Sequence, residues 1–201
     1  NVVAAYTAAG RIDSLAIIPS MVFSQALSTF VGQNIGAGKV DRVKRGLWRT
    51  LVMSSMVAVG ISLLLILFKY PLMGLFTQDS EVIRIGGDYL TIVTSFYLLF
   101  TWMFAFNGVM RGAGDTLIPM FMTLISLWLI RIPAAVLLSQ ETVRVFSFTI
   151  RGAGLGETGI WWSIPAGWGV GMILSILYYM VGNWKNRAVI KVPVEPATVT
   201  R

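Results

Sequence analysis

Polar side chains recur inside otherwise apolar stretches of this 201-residue chain, and their chemistry needs an explanation. Hydroxyl groups recur every four residues at Ser20, Ser24 and Ser28, and Gln25 lies beside them. Four-residue spacing places side chains on one face of a helix. Such a face either lines a water-filled cavity or packs between helices, with each hydroxyl bonded to the carbonyl four residues earlier. The amide of Gln25 is the harder group to bury, because an unsatisfied amide in an apolar medium is costly.

A charged residue, Arg131, lies within another apolar stretch, two residues before Pro133. A charge at membrane depth costs about 2.5–3.5 kcal/mol on insertion scales, so this side chain should face protein, water or the interface. It either lines a cavity or supports backbone carbonyls that Pro133 leaves unpaired. Asn107 is a further polar residue of this kind. The candidate cavity residues are Gln25, Ser28, Asn107 and Arg131.

The composition argues against an enzyme. The chain has no cysteine and no histidine, which excludes disulfides, thiolate chemistry and metal sites built on those residues. No nucleophile with a neighbouring base, paired carboxylates or metal-ligand cluster is apparent in the sequence. The glycine-rich turns at 36–39, 112–115 and 152–155 do not fit a phosphate-binding loop, and they are typical of tight turns. We therefore expect no catalytic residues, no cofactor and no metal site.

Five long apolar runs must position these polar groups, and they predict an all-α integral membrane protein. About 20 helical residues cross a hydrocarbon layer of about 30 Å. The chain is 56% hydrophobic and only 12% charged. We predict a membrane bundle over residues 1–184 and a cytoplasmic C-terminal tail over 185–201. The predicted spans are 14–35, 47–68, 89–110, 117–138 and 160–182, with outer loops at 1–13 and 139–159.

The net charge of +7 is unevenly distributed along the chain. Basic residues concentrate in the gap 36–46 and in the tail, which the alternation of spans places on one side. The acidic residues lie mostly in the opposite gaps. The positive-inside rule therefore predicts a cytoplasmic 36–46 loop and C-terminus. The excess charge indicates topology, with membrane lipids as its partner, and not nucleic-acid binding.

Glycines at four-residue spacing occur in three predicted spans. Small residues one turn apart let helix backbones approach closely in lipid, so we predict tight helix packing there. The pairs are Gly32 with Gly36, Gly108 with Gly112, and Gly167 with Gly171. Asp79 is predicted to cap a helix that starts just after it, because its carboxylate can accept the first free backbone N–H groups.

Four segments, in this order and spacing, resemble the multidrug and toxic compound extrusion (MATE) family. Residues 31–46 (VGQNIGAGKVDRVKRG) are similar to the loop between the second and third helices of a MATE half-repeat, and 107–119 (NGVMRGAGDTLIP) to the loop between the fourth and fifth. Residues 129–133 (LIRIP) resemble part of the fifth helix, and 159–165 (GIWWSIP) the start of the sixth. The resemblance covers nearly the whole chain.

The resemblance implies two six-helix lobes that enclose a central cavity. This chain would be the C-terminal lobe without its first helix, a five-helix fragment of a twelve-helix transporter, and the missing N-terminal lobe would be its partner. The family exports cationic or amphipathic compounds in exchange for H⁺ or Na⁺. Because no acidic residue lies inside the predicted spans, we expect the coupling ion to bind outside this chain, in the N-terminal lobe.

We therefore predict a fragment of a secondary active antiporter that exports small organic cations or drugs in exchange for H⁺ or Na⁺. It would be a multi-pass protein of the inner or plasma membrane, and half a cavity wall should not transport alone. One alternative is a lipid-linked oligosaccharide flippase of the same superfamily, which Arg131 would suit if the cargo is anionic. Another is a membrane assembly factor that does not transport, for which the packing glycines would suffice.

Overall fold

A computed structural model describes residues 1–145, 148–182 and Trp184. The predicted tail at 185–201 lies outside the described residues. In chain order the elements are α1 (Val2–Ala16), α2 (Ile18–Gly36), α3 (Val40–Leu67), α4 (Lys69–Gly74), α5 (Ser80–Ser95), α6 (Tyr97–Gly112), α7 (Leu117–Leu124), a π-helical segment (Ile125–Ile130), α8 (Arg131–Ser139), β1 (Thr142–Val145), β2 (Phe148–Arg151) and α9 (Glu157–Val181).

The helices account for the predicted membrane character. Four helical stretches of the described residues are long and apolar enough to cross a bilayer: Val2–Gly36, Val40–Leu67, Leu117–Ser139 and Glu157–Val181. The pair α5 and α6, bent by 47°, forms a fifth if the two helices are one broken span. An all-α membrane architecture with up to five spans is thereby confirmed by length and composition.

The predicted outer loop at 1–13 is wrong, because α1 begins at Val2. Its buried residues are Ala5, Ala8, Ala9 and Ile12, which follow the i, i+3, i+4, i+7 pattern of a packed helix face. Alanine is the strongest helix former, so this small apolar segment favours a helix even without long side chains. α1 packs on α5 and continues into α2 with only a slight irregularity at Ile17.

The helices at the predicted third span start earlier than predicted, and they are bent relative to each other by 47°. α5 begins at Ser80, where the Asp79 side chain accepts hydrogen bonds from the backbone N–H groups of Glu81 and Val82. The predicted Asp79 cap is therefore confirmed. The helix bends at Phe96, and α6 continues from there to Gly112.

The fourth span contains a π-helical segment directly before Arg131. Pro133 has no backbone N–H, so the carbonyl of Leu129 loses its normal helical partner. A local change to wider i to i+5 hydrogen bonding is one way for a helix to accommodate such a loss. The sequence correctly indicated that Pro133 disrupts the regular helical hydrogen bonds, but it did not indicate that the helix becomes π-helical before Arg131.

The predicted outer loop at 139–159 is in part a β-hairpin. β1 and β2 pair antiparallel, with Thr142 opposite Arg151 and Val143 opposite Ile150. The segment 142–151 is rich in β-branched residues, which favour extended structure. That composition was visible in the sequence, but the predicted outer loop assigned no strands to it.

α6 lies at the centre of the bundle, where α2, α3 and α9 pack around it. Its close approach to α2 depends on glycine. A Cβ atom added at Gly108 would lie 2.6 Å from the backbone oxygen of Ser24 and 2.8 Å from its Oγ. A Cβ atom added at Gly112 would likewise collide with the backbone oxygen of Ser28, and one added at Gly171 would collide with the side chain of Ser126. A Cβ atom at Gly36 would meet nothing within 4 Å. The predicted tight packing is thus confirmed for Gly108, Gly112 and Gly171, and is wrong for Gly36.

We expect Gly108→Ala to destabilise the protein by about 1–3 kcal/mol, because the new methyl group overpacks the α2–α6 contact. Gly60→Ala is the matched control, since a Cβ there meets nothing within 4 Å on α3. The measurement is thermal unfolding of the purified full-length protein in detergent. Equal melting temperatures for the two variants would contradict the packing.

Candidate functional site

The hydroxyl face of α2 packs against α6. Ser20 Oγ lies 2.8 Å from Thr101 Oγ1, with either group as the donor. Ser24 Oγ donates to the backbone oxygen of Phe104 at 2.5 Å and accepts from Arg111 Nη2 at 2.8 Å. Both serines are buried. These groups therefore fix the α2–α6 interface, through bonds between helices and not through bonds to the preceding turn.

The neighbouring face of α2 is the exposed polar surface of this helix. Gln25, Thr29 and Gln33 are exposed and follow one another at four-residue steps, while Ser28 is half-buried. A side-chain amide that is exposed within an apolar helix requires water or another polar partner. This face of α2 is the part of the serine-rich segment that remains available to line an aqueous pathway.

Asn107 lies inside the α6–α9 contact. Its side chain is buried, and its Oδ1 accepts a hydrogen bond from Ser175 Oγ at 2.9 Å. Ser175 also donates to the backbone oxygen of Gly171 at 2.8 Å. This arrangement ties α6 to α9 and leaves Asn107 buried in the contact between them.

A carboxylate that the sequence analysis passed over sits between α1, α5 and α6. Tyr97 donates its hydroxyl to Asp13 Oδ1 at 2.5 Å, and Tyr89 donates to Oδ2 at 3.3 Å. Both tyrosines are buried, whereas Asp13 is half-buried. The two phenolic donors orient the carboxylate and leave it partly accessible. An ionised carboxylate has further lone pairs with which to accept another donor or a cation.

Aromatic rings surround this carboxylate. Tyr6 stacks on Trp161 with ring centroids 5.6 Å apart, and both contact Tyr89 edge to face at 5.7 and 5.2 Å. Tyr6 is 43% exposed, so the cluster reaches the surface of the chain. A carboxylate beside aromatic faces is the combination that attracts an organic cation, through charge and through cation–π contacts. We call Asp13, Tyr6, Tyr89, Tyr97 and Trp161 the acidic aromatic cluster.

Arg131 lies within electrostatic range of this cluster but does not pair with it. It is half-buried at the start of α8, and its charge acts only weakly on Asp13 and Tyr89, since the ion pairs of the described residues are Lys44 with Asp41 and Arg84 with Asp88. Its side-chain stem lies against α9, where a Cβ at Gly167 would be 3.4 Å from Arg131 Cβ. Of the four predicted cavity residues, Arg131 is thus the one that the structure associates with the cluster.

Comparison with known proteins decides the family. The family model described as MatE matches residues 1–137. The chain belongs to the MATE family. The resemblance seen in the sequence is confirmed.

Two curated relatives show how much of a MATE protein this chain represents. It is 30% identical over 180 residues to the "Probable multidrug resistance protein NorM" of Thermotoga maritima, and 31% identical over 185 residues to the "Probable multidrug resistance protein YpnP" of Bacillus subtilis. The matches cover 90% and 92% of this chain, but only 36% and 39% of the relatives. The chain thus spans well under half the length of these relatives.

Solved MATE structures share the fold. An "Outward-facing conformation of a multidrug resistance MATE family transporter of the MOP superfamily" superposes with a TM-score of 0.79 at 18% identity, over 94% of this chain and 40% of that one. The eukaryotic MATE transporter AtDTX14 superposes with a TM-score of 0.74 at 23% identity, again over 94% and 40%. The arrangement of helices in this chain is therefore that of part of a MATE transporter.

The sequence analysis did not predict the acidic aromatic cluster of this MATE chain, because it placed Asp13 outside the first helix. The charged residues Arg11 and Asp13 directly precede the apolar run, so the predicted first span begins at Ser14. Asp13 instead lies inside Val2–Gly36, a helix long enough to cross the membrane. Asp13 thus lies one residue outside the predicted first span, on the same continuous helical stretch. The buried alanine pattern of α1 was the signal that would have extended the helix. Among the described residues, no three acidic side chains meet to hold a metal ion.

Proposed function

We propose that this chain forms part of a secondary active antiporter that exports organic cations or drugs in exchange for H⁺ or Na⁺. The observation that carries the proposal is Asp13, a half-buried carboxylate held by two tyrosines beside exposed Tyr6 and buried Trp161. Such a cluster suits an aromatic organic cation better than a neutral or anionic cargo. Membership of the MATE family and the multidrug-resistance names of the relatives support the same conclusion.

In this proposal the chain is the C-terminal lobe, and an N-terminal lobe supplied by further sequence completes the cavity. Gln25, Ser28 and Arg131 contribute polar groups to the cavity wall, and Asn107 acts beside them by fixing α6 against α9. Arg131 adds a weak positive charge near Asp13 when no cation is bound. The protein resides in the cell membrane, with the 36–46 loop and the C-terminus in the cytoplasm, because the basic residues concentrate there.

The coupling ion is H⁺ or Na⁺, and Asp13 is the candidate for its site within this chain. The absence of acidic residues from the predicted spans favoured a site in the N-terminal lobe. Asp13, one residue outside the first of those spans, offers an alternative within this chain. A carboxylate that both the ion and the substrate use would couple their movements directly. Under this proposal the two compete for Asp13.

The test is transport by the full-length protein in proteoliposomes. An organic cation such as ethidium should move against its gradient when an opposing H⁺ or Na⁺ gradient is imposed, and only one of the two ions should drive it. Movement of a lipid-linked oligosaccharide without movement of ethidium would replace the proposal with the flippase alternative. Absence of both activities in correctly folded protein would favour the assembly-factor alternative.

A further inference from the structure

A groove separate from the acidic aromatic cluster lies along the middle of α2, in the hairpin that α2 and α3 form. A cavity of about 580 Å³ opens between these helices. One wall is the apolar α2 face of Phe23, Ala26, Leu27 and Phe30, which follow i, i+3, i+4, i+7 spacing. The other wall belongs to α3 and consists of Arg42, Arg45, Gly46, Arg49 and Thr50. We call this cavity the α2–α3 groove.

The contact between Phe30 and Gly46 shapes the groove. A Cβ atom at Gly46 would fall within 2.9 Å of Phe30 Cδ1 and nearer still to Cε1, so the ring lies directly on the backbone of α3. A larger residue at position 46 would force the Phe30 ring to move away from α3. The aromatic ring thereby sits among the three arginines, and one edge of it remains exposed, since Phe30 is 39% accessible.

The three arginines lack carboxylate partners within the described part of the chain. The ion pairs found there are Lys44 with Asp41 and Arg84 with Asp88. Arg45 donates from Nε to the backbone oxygen of Asp41 at 3.4 Å, which leaves its charge unbalanced. Positions 42, 45 and 49 lie within two turns of one helix face, so their charges repel one another. An anion in the groove would remove that repulsion.

Topology alone does not require this arrangement. The positive-inside rule depends on the number of basic residues in a loop, and exposed residues such as Lys39 and Lys44 already serve it. It does not require guanidinium groups to line a cavity whose opposite wall is aromatic and aliphatic. Guanidinium groups bind phosphate oxygens in pairs, in a planar geometry that lysine cannot offer.

We propose that the α2–α3 groove binds the phosphate headgroup of an anionic phospholipid of the cytoplasmic leaflet. Arg42, Arg45 and Arg49 hold the phosphate, and the first part of an acyl chain lies along Phe23, Ala26 and Phe30. The cavity is much larger than a phosphate ion, and half of its lining is apolar, which favours a lipid over a free phosphate. Basic pockets between membrane helices on the cytoplasmic side are suited to such headgroups. The site is independent of the transported cargo.

The test uses the purified full-length protein, stripped of lipid and held in neutral detergent. Phosphatidylglycerol is titrated and the melting temperature and bound lipid are measured, the latter by native mass spectrometry. Phosphatidylcholine, glycerol phosphate and inorganic phosphate are the comparison ligands. We expect phosphatidylglycerol to bind and stabilise the protein, phosphatidylcholine to do so at least about tenfold more weakly, and the two soluble phosphates to have no effect. Equal stabilisation by phosphatidylcholine, or full stabilisation by either soluble phosphate, would overturn the proposal.

Two double variants, each lacking two positive charges, distinguish lipid binding in the groove from a general attraction between the basic loop and an anionic lipid. Arg42→Gln with Arg49→Gln removes two positive charges from the groove, and Lys39→Gln with Lys44→Gln removes two from the same loop outside it. Phosphatidylglycerol affinity should fall at least about tenfold in the arginine variant and stay within about twofold of wild type in the lysine variant. Equal losses in both would show that only the overall charge matters, and would reject the site.

A third variant keeps the charge and changes only the shape. Gly46→Ala displaces Phe30 from α3 and should weaken phosphatidylglycerol binding several-fold, with all basic residues in place. It also keeps the proposal falsifiable if the arginine variant does not fold. Wild-type affinity in folded Gly46→Ala protein would contradict the role of the Phe30 wall and with it the proposed groove.

Discussion

Replacing Asp13 by Asn should reduce organic-cation transport by the full-length protein by at least about tenfold. The substitution keeps the size of the side chain and its ability to accept from Tyr97, but it removes the negative charge from the acidic aromatic cluster. Hydrogen bonds to charged groups are worth about 1.5–3 kcal/mol, so loss of the charge corresponds to roughly tenfold or more. The measurement is the initial rate of ethidium transport in proteoliposomes under the coupling gradient.

Asp88→Asn is the matched control for this prediction. Asp88 also lies on a helix of the bundle, but it pairs on the surface with Arg84 at 3.6 Å, and such pairs contribute little. Its transport rate should stay within about twofold of wild type. Both proteins must show wild-type melting temperatures, so that a loss of transport reports the charge and not the fold. Undiminished transport by Asp13→Asn would remove Asp13 from the mechanism.

Cysteines placed at Ser24 and Gln25 should differ strongly in their reaction with a water-soluble thiol reagent. The two residues are adjacent on α2, but Ser24 is 1% exposed against α6 whereas Gln25 is exposed. A thiol at position 24 must wait for local opening of the helix contact, so its modification should be at least about tenfold slower. The measurement is the labelling rate in membranes that contain the full-length protein without other reactive cysteines.

The same labelling experiment also shows whether the exposed face of α2 contacts water or lipid. A thiol at position 25 that faces the hydrocarbon would be as unreactive as one at position 24, because a charged reagent does not enter the membrane core. Gln33 lies two turns further along the same face and is exposed as well. Rapid labelling at positions 25 and 33 is expected, and inert thiols at both would contradict an aqueous pathway along α2.

The features predicted correctly from sequence are those that depend on short-range patterns. The capping role of Asp79 follows from residues within one turn of it, and the close approach at Gly108 follows from glycine spacing along one helix. Apolar run length predicted the membrane helices. The helical nature of 2–16 was also encoded locally, in the spacing of its buried alanines, although the charges at Arg11 and Asp13 obscured it.

Features that depend on tertiary contacts could not be predicted from the sequence. Asn107 is polar and sits in an apolar helix, which makes it a cavity candidate by composition, but its partner Ser175 lies 68 residues away. The same holds for Ser24 and Arg111, which are 87 residues apart. Asp13 gains its significance only from Tyr89 and Tyr97, on helices that the sequence does not place beside α1. Hydropathy indicates that a polar group is in the membrane, and the fold determines whether it packs or faces the cavity.

If the acidic aromatic cluster recognises positive charge, calorimetry on the purified full-length protein will detect it as a preference for a cation over a neutral ligand of the same shape. The ligands are tetraphenylphosphonium and its neutral isostere tetraphenylmethane, the latter delivered in detergent. Wild-type protein should bind the cation at least about tenfold more tightly than the neutral compound, and Asp13→Asn should abolish that preference. A preference that survives in Asp13→Asn, or that is absent from wild type, would show that the Asp13 carboxylate does not recognise the cation.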